Sequence, residues 1–509
     1  MKSGFGTKLL GPIIKIVLLS LVTALLTFMA YMAYLGNQLI MGSVLVAIAV
    51  ITNIVFWNRK AVAAKFLLPG AFLMVIFVIL PIVYTVGMSF FHYGTGNEVS
   101  KADAITSLQA AGLVPADSGE TYDMVLGDYK GKPAALVTEQ TSHVVSLATQ
   151  EKVTQLQPGS YTLSGGIAKT YPGLQVWSVS KKAASDSLIQ ALQFPVDKIH
   201  FIQPQDSETA ALMMQSYRIN AAQTQLTDTL AGTTYYDNGN GNFVAKDGTV
   251  LYPGWTAFNP GLNYASLILD PRLSKPFFNV FVWTVIFALS TVAIMFFAGL
   301  SLAIALDKKI KFRAFYRAIL ILPYAIPSFM SILIWNGMFN RQFGAVNLLL
   351  GQHIDWYDSP ILAKIVILVV NLWLGFPYFY LISSGALQAL PTDIVEAAEI
   401  DGASGGQIFR QIKLPMLLQI LGPLLIASFA FNFNNFNIVY LLTGGGPTDV
   451  LHGASAGATD ILITYAYKTA FGGETQNLGL ASAISVIMFL IVGALSMWSL
   501  RSSKVLQEF

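Results

Sequence analysis

Eight long apolar runs dominate the chain, at approximately Ile13–Leu35, Leu39–Trp57, Leu67–Phe91, Phe277–Leu306, Ala318–Phe339, Ile361–Ser384, Met416–Leu442 and Leu478–Leu500. A helix crossing the ~30 Å hydrocarbon core of a bilayer needs about 20 apolar residues, so each run is long enough for one transmembrane helix. Composition agrees: 54% of the residues are hydrophobic and 11% charged, against about a quarter charged in a soluble globular chain. The first run is too long for the apolar core of a signal peptide and a second follows at once, with Gly36 and Asn37 as the turn. It is therefore expected to stay as an uncleaved span.

Short loops keep Lys and Arg on the cytoplasmic side. Here Lys2, Lys8 and Lys15 precede span one, and Arg59, Lys60 and Lys65 separate spans two and three. Lys308, Lys309, Lys311, Arg313 and Arg317 separate spans four and five, and Arg501 and Lys504 follow span eight. Both termini are expected in the cytoplasm, and an even number of spans satisfies that. Pro81, Pro323, Pro327, Gly375 and Pro377 fall inside spans. Such breakers are tolerated where a neighbouring helix or a wet cavity takes the freed carbonyl, so kinking for packing and gating both remain open.

Between spans three and four, residues 92–275 turn polar and carry 12 Lys and Arg against 16 Asp and Glu, a net charge of −4. This length suits one extramembrane domain, and the topology places it in the periplasm. Asn242–Tyr252 reads as a hairpin with Asp247-Gly248 as a type I′ turn, and Ser160–Val179 reads as strands. Helices are expected at Ala102–Leu113, Ser185–Leu192 and Asp206–Ser216, the last capped by Asp206. The expected fold is thus all-α in the membrane with a β-rich mixed domain inserted after the third helix. The domains are residues 1–91, 92–275 and 276–509. No catalytic or metal-ligating motif appears. The chain has no cysteine, and a net charge of +3 gives no reason to expect nucleic acid.

Beyond span six the chain reads PTDIVEAAEIDGASGGQIFRQIKLP from Pro391. A short amphipathic helix, a glycine turn and a second helix make a rigid lever that fits a groove on another protein. Glu396, Ala397, Ala398, Gly402, Ile412, Leu414 and Pro415 stand at every consensus position of the EAA loop, so the segment resembles the ATPase-coupling loop of ABC importer permeases. The chain carries no G-x-x-x-x-G-K-[ST] phosphate loop, and hydrolysis by that chemistry must come from a partner.

The runs ILPYAIPSFMSILIW, NLWLGFPYFY and IASFAFNFNNFNIVYLLTGGGP, with eight spans and a large loop after the third, extend the likeness. The chain resembles the larger permease subunit of the maltose/maltodextrin ABC importer family, most closely from span four onward. The resemblance implies a type I ABC importer permease fold. It also implies a second permease subunit, a dimeric ATPase using ATP and Mg, a periplasmic binding protein held partly by the large loop, and maltose or maltodextrin as cargo. No cofactor is implied for this chain itself.

Polar groups inside spans are costly and informative. Ser428, Phe431, Asn432 and Asn435 fall at i, i+3, i+4 and i+7, on one face of a helix. Span six offers Asn371, Trp373, Gly375, Tyr378 and Tyr380. Amides and hydroxyls beside rings suit a neutral sugar, and interhelical hydrogen-bonding is the alternative that the residues alone leave open. The family resemblance places sugar contacts at Leu374, Gly375, Tyr378, Ser428, Phe431, Asn432 and Asn435. Rival readings are a permease for another neutral sugar or glycoside, a sensor, and an ion-coupled secondary transporter. The last would carry carboxylates or histidines in the middle of its spans.

Overall fold

A computed structural model describes residues 5–58, 60–116, 118–307, 310–448, 456–473 and 475–502. It divides into two compact units, residues 1–87 and 88–509. Among the described residues, six helices are long and apolar enough to cross a bilayer, one further pair is bent, and Met41–Trp57 is a shorter apolar helix. They answer the eight apolar runs one for one.

In the first unit, Phe5–Leu35 and Leu39–Trp57 form a helical hairpin, joined where Asn37 takes a left-handed φ of 56°. Asn53 Nδ2 ties the two at 2.8 Å from Thr23 Oγ1. Span three starts earlier than expected, at Val62, and widens to a π-helical turn over Val75–Ile79 before Leu80–Met88. Pro81 has no N–H to give the carbonyl of Phe77, and the wide turn falls there.

The second unit holds the inserted region and spans four to eight. A nine-stranded antiparallel sheet packs Leu126, Val137, Phe194 and Ile202 into one core. Its central hairpin pairs Tyr122–Tyr129 with Lys132–Glu139. Lys130 (φ 52°) and Gly131 (φ 77°) make the two-residue turn, so the type I′ signal lies there rather than at Asp247-Gly248. The 243–251 stretch does fold back, with Leu251 N donating to Phe243 O at 2.9 Å, but only Gly248 has positive φ in its turn. The helix expected over Asp206–Ser216 is instead the strand Thr209–Gln215. Asp206 Oδ1 accepts from Glu208 N (2.7 Å) and Thr209 N (2.6 Å), which turns the chain into the ladder. Sheet pairing on both edges overrides the helix-forming TAALMM sequence. Helices at Lys101–Ala111 and Asp186–Ala191 meet the other two expectations.

The foot of the insertion is stitched to the spans. Asn263 Nδ2 donates to Ser89 O and Phe91 O, both at 2.9 Å, and Gly479 N donates to Tyr93 O at 3.0 Å, at the start of span eight. Span four (Pro271–Ala305) begins six residues before its apolar run, because Asp270 caps it by accepting from Arg272 N at 3.0 Å and Pro271 takes the first helical position. It lies along span six (Pro360–Gln388). The close crossing depends on Gly299, where a Cβ would stand 2.6 Å from the Phe379 backbone and Tyr380 N.

Two spans differ from the single helices expected. Span five is Arg313–Ala325 and Ser328–Met338, bent by 92°. Pro327 forces Ile326 into extended backbone (φ −91°, ψ 135°), which ends the first helix. Span seven is Leu414–Phe433 followed by Phe436–Thr443, broken at Asn434 and Asn435. A further helix that hydropathy did not mark, Leu462–Phe471, buries Leu462 and Tyr465 against spans four and eight.

Candidate functional site

The two breaks meet. The elbow of span five, Pro323 to Ser328, faces the broken end of span seven across a cavity of about 680 Å³, within the usual range for a small-molecule site. Span six forms the third wall. Leu374, Gly375, Tyr378, Ser428, Phe431, Asn432 and Asn435 all line it. Asn435 reaches the cavity from the turn before the second helix, so the single-face spacing applies to Ser428, Phe431 and Asn432 alone. Asn371 and Asn437, intramembrane amides that the residues alone offered for a neutral sugar although the family resemblance did not place contacts there, also line it, and so do Met295 and the elbow, which were not expected to. The wall has no carboxylate, lysine, arginine or histidine among the described residues.

The polar groups are partly spoken for. Asn371 Nδ2 donates to Asn432 Oδ1 at 2.9 Å and, more weakly, to Thr291 Oγ1 at 3.4 Å, while Asn432 Nδ2 donates to Ser428 O at 2.8 Å. These bonds tie spans four, six and seven, as the interhelical alternative requires. Each of the two amides still has hydrogen-bonding capacity beyond them. Phe431 is 71% exposed and presents a ring to the space. Taken together, the wall offers donors, acceptors and aromatic faces without net charge.

A Cβ on Gly375 would overlap the Met295 thioether. That end is flexible and can shift, and both residues line the cavity. Gly375→Ala should therefore fold normally and raise the half-saturating concentration of transported solute several-fold, as uptake titrations would show.

The lever segment forms as expected. Thr392–Ile400 is a helix, Gly402 takes φ +81°, and Ser404 starts the next helix with a capping box to Gln407. Glu396 and Ala397 are exposed, Ala398 is half-buried, and Ile400 is 85% exposed. Ile412 and Leu414 are half-buried, with Leu414 packed into the cluster of Leu390 and Leu417, and Pro415 sits in the first turn of Leu414–Phe433. From Leu414 to Ser428 that one helix rises about 21 Å, so lever and cavity share a rigid element.

Near the second half of span seven, Asp460 is fully buried. Its Oδ2 accepts from Lys468 Nζ and Gly457 N, both at 2.7 Å, and Oδ1 accepts from Thr464 Oγ1 at 2.9 Å. Burial pushes this carboxyl above its ordinary range, while Lys468 and the two hydrogen bonds pull the other way. The Gly444–Pro447 turn packs directly against the pair, and any side chain at Gly445 would collide with Asp460.

Residues 295–503 match the model of the binding-protein-dependent transport system inner membrane component, and residues 72–160 match the N-terminal model of transmembrane subunits in such ABC transporters. The maltose/maltodextrin transport system permease protein MalF of Vibrio vulnificus is 35% identical, over 97% of this chain and 95% of its own length. The chain belongs to the MalF permease family. MalF of Vibrio cholerae and of Escherichia coli O6:H1 are each 36% identical, over 89% of this chain and 88% of theirs. Among solved structures, a bacterial ABC transporter involved in the import of the acidic polysaccharide alginate aligns over 48% of this chain and 82% of that one. At 17% identity and a TM-score of 0.41, that likeness is too distant to inform the site. Lever and cavity both fall inside the 295–503 match, and the chain is a membrane transport subunit of the ABC importer type.

Proposed function

We propose that this permease moves maltose and maltodextrins across the bacterial inner membrane, driven by a partner ATPase dimer that seats the exposed Thr392–Ile400 helix. One observation carries the reading: an uncharged cavity of amides and rings is joined by a continuous helix to an exposed lever. Both termini lie in the cytoplasm, and residues 92–275 lie in the periplasm, where they help hold a sugar-loaded binding protein. A second permease closes the far side of the path. The partner binds ATP and Mg; this sequence has no phosphate loop of its own. ATP-driven closure of the partner dimer pulls the lever, and Leu414–Phe433 carries the movement to the cavity, turning it outward. Hydrolysis resets it.

Sugar recognition follows from the wall. Hydroxyls pair with amide donors and acceptors, and the C–H face of a sugar ring lies on Phe431 or Tyr378. Asn432→Ala should lower maltose uptake in cells more than tenfold at unchanged membrane level, because an interhelical hydrogen bond in lipid averages about 0.6 kcal/mol. Phe431→Ala, which removes an exposed ring and leaves the helix ties intact, should weaken uptake as well. Normal uptake in both variants would refute the sugar site, whereas loss in Asn432→Ala alone would assign the asparagine to helix packing.

A further inference from the structure

A second cavity, of about 540 Å³, lies away from the polar one, between the first turns of span four, the first turns of span six and the Ala456–Asp460 stretch. Two cations line it. Lys275 belongs to the start of span four, and Lys364 stands with Nζ 4.5 Å from the centre of the Trp283 ring. Neither has a carboxylate partner among the described residues. Asp460 is the one carboxylate on the wall, and Lys468, Thr464 and Gly457 already hold it. The positive charge of the cavity is thus uncompensated.

Beside the cations runs an apolar stripe. Phe278, Val282 and Ile286 also line the cavity and are 62%, 40% and 48% exposed. Four-residue spacing keeps them on one face of the helix. From Lys275 to Ile286 the helix rises about 16 Å, close to one leaflet of a ~30 Å hydrocarbon core. Two cations lining the same cavity as a leaflet-long apolar stripe match an amphiphile whose head is anionic and whose tail is a hydrocarbon chain. A sugar would leave the stripe uncovered, and an acidic peptide would set its backbone polar groups against hydrocarbon.

We propose that this cavity is a binding site for an anionic phospholipid, its phosphate held by Lys275 and Lys364 and one acyl chain lying along Phe278, Val282 and Ile286. In the topology proposed above the lipid belongs to the outer leaflet of the inner membrane. Charge-assisted contacts hold the phosphate, and basic pockets between transmembrane helices suit lipid head groups.

Native mass spectrometry of the intact transporter in detergent tests this, with phosphatidylglycerol, zwitterionic phosphatidylethanolamine and inorganic phosphate as separate probes. The tightest phosphatidylglycerol site should weaken roughly thirtyfold in Lys275→Gln/Lys364→Gln, the loss of two lysines near a charged surface. Val282→Trp, which fills the groove and keeps both lysines, should weaken the same site, and assembly yield shows that the variants fold. Phosphatidylethanolamine should bind weakly in every case. Equal phosphatidylglycerol binding in wild type and the double variant would overturn the proposal. So would unchanged binding in Val282→Trp, competition by inorganic phosphate at lipid concentrations, or a cross-link from Lys364 to an acidic segment of a partner subunit with no lipid retained.

Discussion

Gly299→Leu should leave little folded protein in the membrane. The crossing of spans four and six brings the Phe379 and Tyr380 backbones so close that even a methyl at 299 would stand 2.6 Å from them. Backbone cannot swing aside as a side-chain tip can. Around the crossing, Met295, Phe296, Leu300 and Phe379 are all under 5% exposed, so there is no slack to absorb three more carbons. Overpacking of this kind costs about 1–3 kcal/mol and sometimes more, against a total stability of about 5–15 kcal/mol. Helix association in lipid rests largely on packing through small residues, which removes the usual hydrophobic compensation. Immunoblots of isolated membranes should show at least a tenfold fall for Gly299→Leu. Gly385→Ala should stay near wild type, since a Cβ at 385 meets nothing within 4 Å. Normal accumulation of Gly299→Leu would mean the crossing opens more readily than its geometry implies.

The parts of this architecture set by long-range hydropathy were legible from residues alone. Eight apolar runs gave eight helical passages, and the glycine after Thr392–Ile400 gave the turn of the lever. The local breaks were not legible at the same resolution. Pro327 was visible as a breaker, but only the extended Ile326 before it turns a kink into a 92° elbow. In span seven the FNFNNFN stretch keeps a helical spacing of polar groups, yet the helix stops at Phe433. Asparagine side chains compete for helix carbonyls, as Asn432 does with Ser428 O and Asn434 with Ala430 O.

The breaks in spans five and seven are what create the cavity, so its lining could be guessed while its shape could not. Outside the membrane, the strand at Thr209–Gln215 escaped notice because its partners are distant in sequence, and the Lys130-Gly131 turn because its first residue is not asparagine or aspartate. Asp460 gave no periodic signal; only the fold shows it meeting Lys468 in a buried site.

The proposed function requires that movement be carried over distance without loss. The first lever helix is exposed, the cavity lies about 21 Å from Leu414 along the helix that follows the lever turn, and Leu414 fastens the near end of that helix into the core. Under the proposed function, this is the route by which a movement imposed at Glu396–Gly402 reaches Ser428–Asn432.

Gly402→Asp isolates that link. The position has φ +81° and a Cβ there meets nothing within 4 Å, so aspartate, among the residues that tolerate this region, adds about 1–2 kcal/mol of local strain and leaves the bundle intact. It also places a new carboxylate beside Asp401 and Glu399 on the exposed turn, where a docking surface must fit closely. Wild-type transporter purified in mild detergent should bring down an ATPase and take up maltose when reconstituted with ATP. The Gly402→Asp protein, present at wild-type level in membranes, should bring down none and transport at background. Retention of the ATPase with undiminished ATP-dependent uptake in that variant would contradict the coupling role of the helix pair.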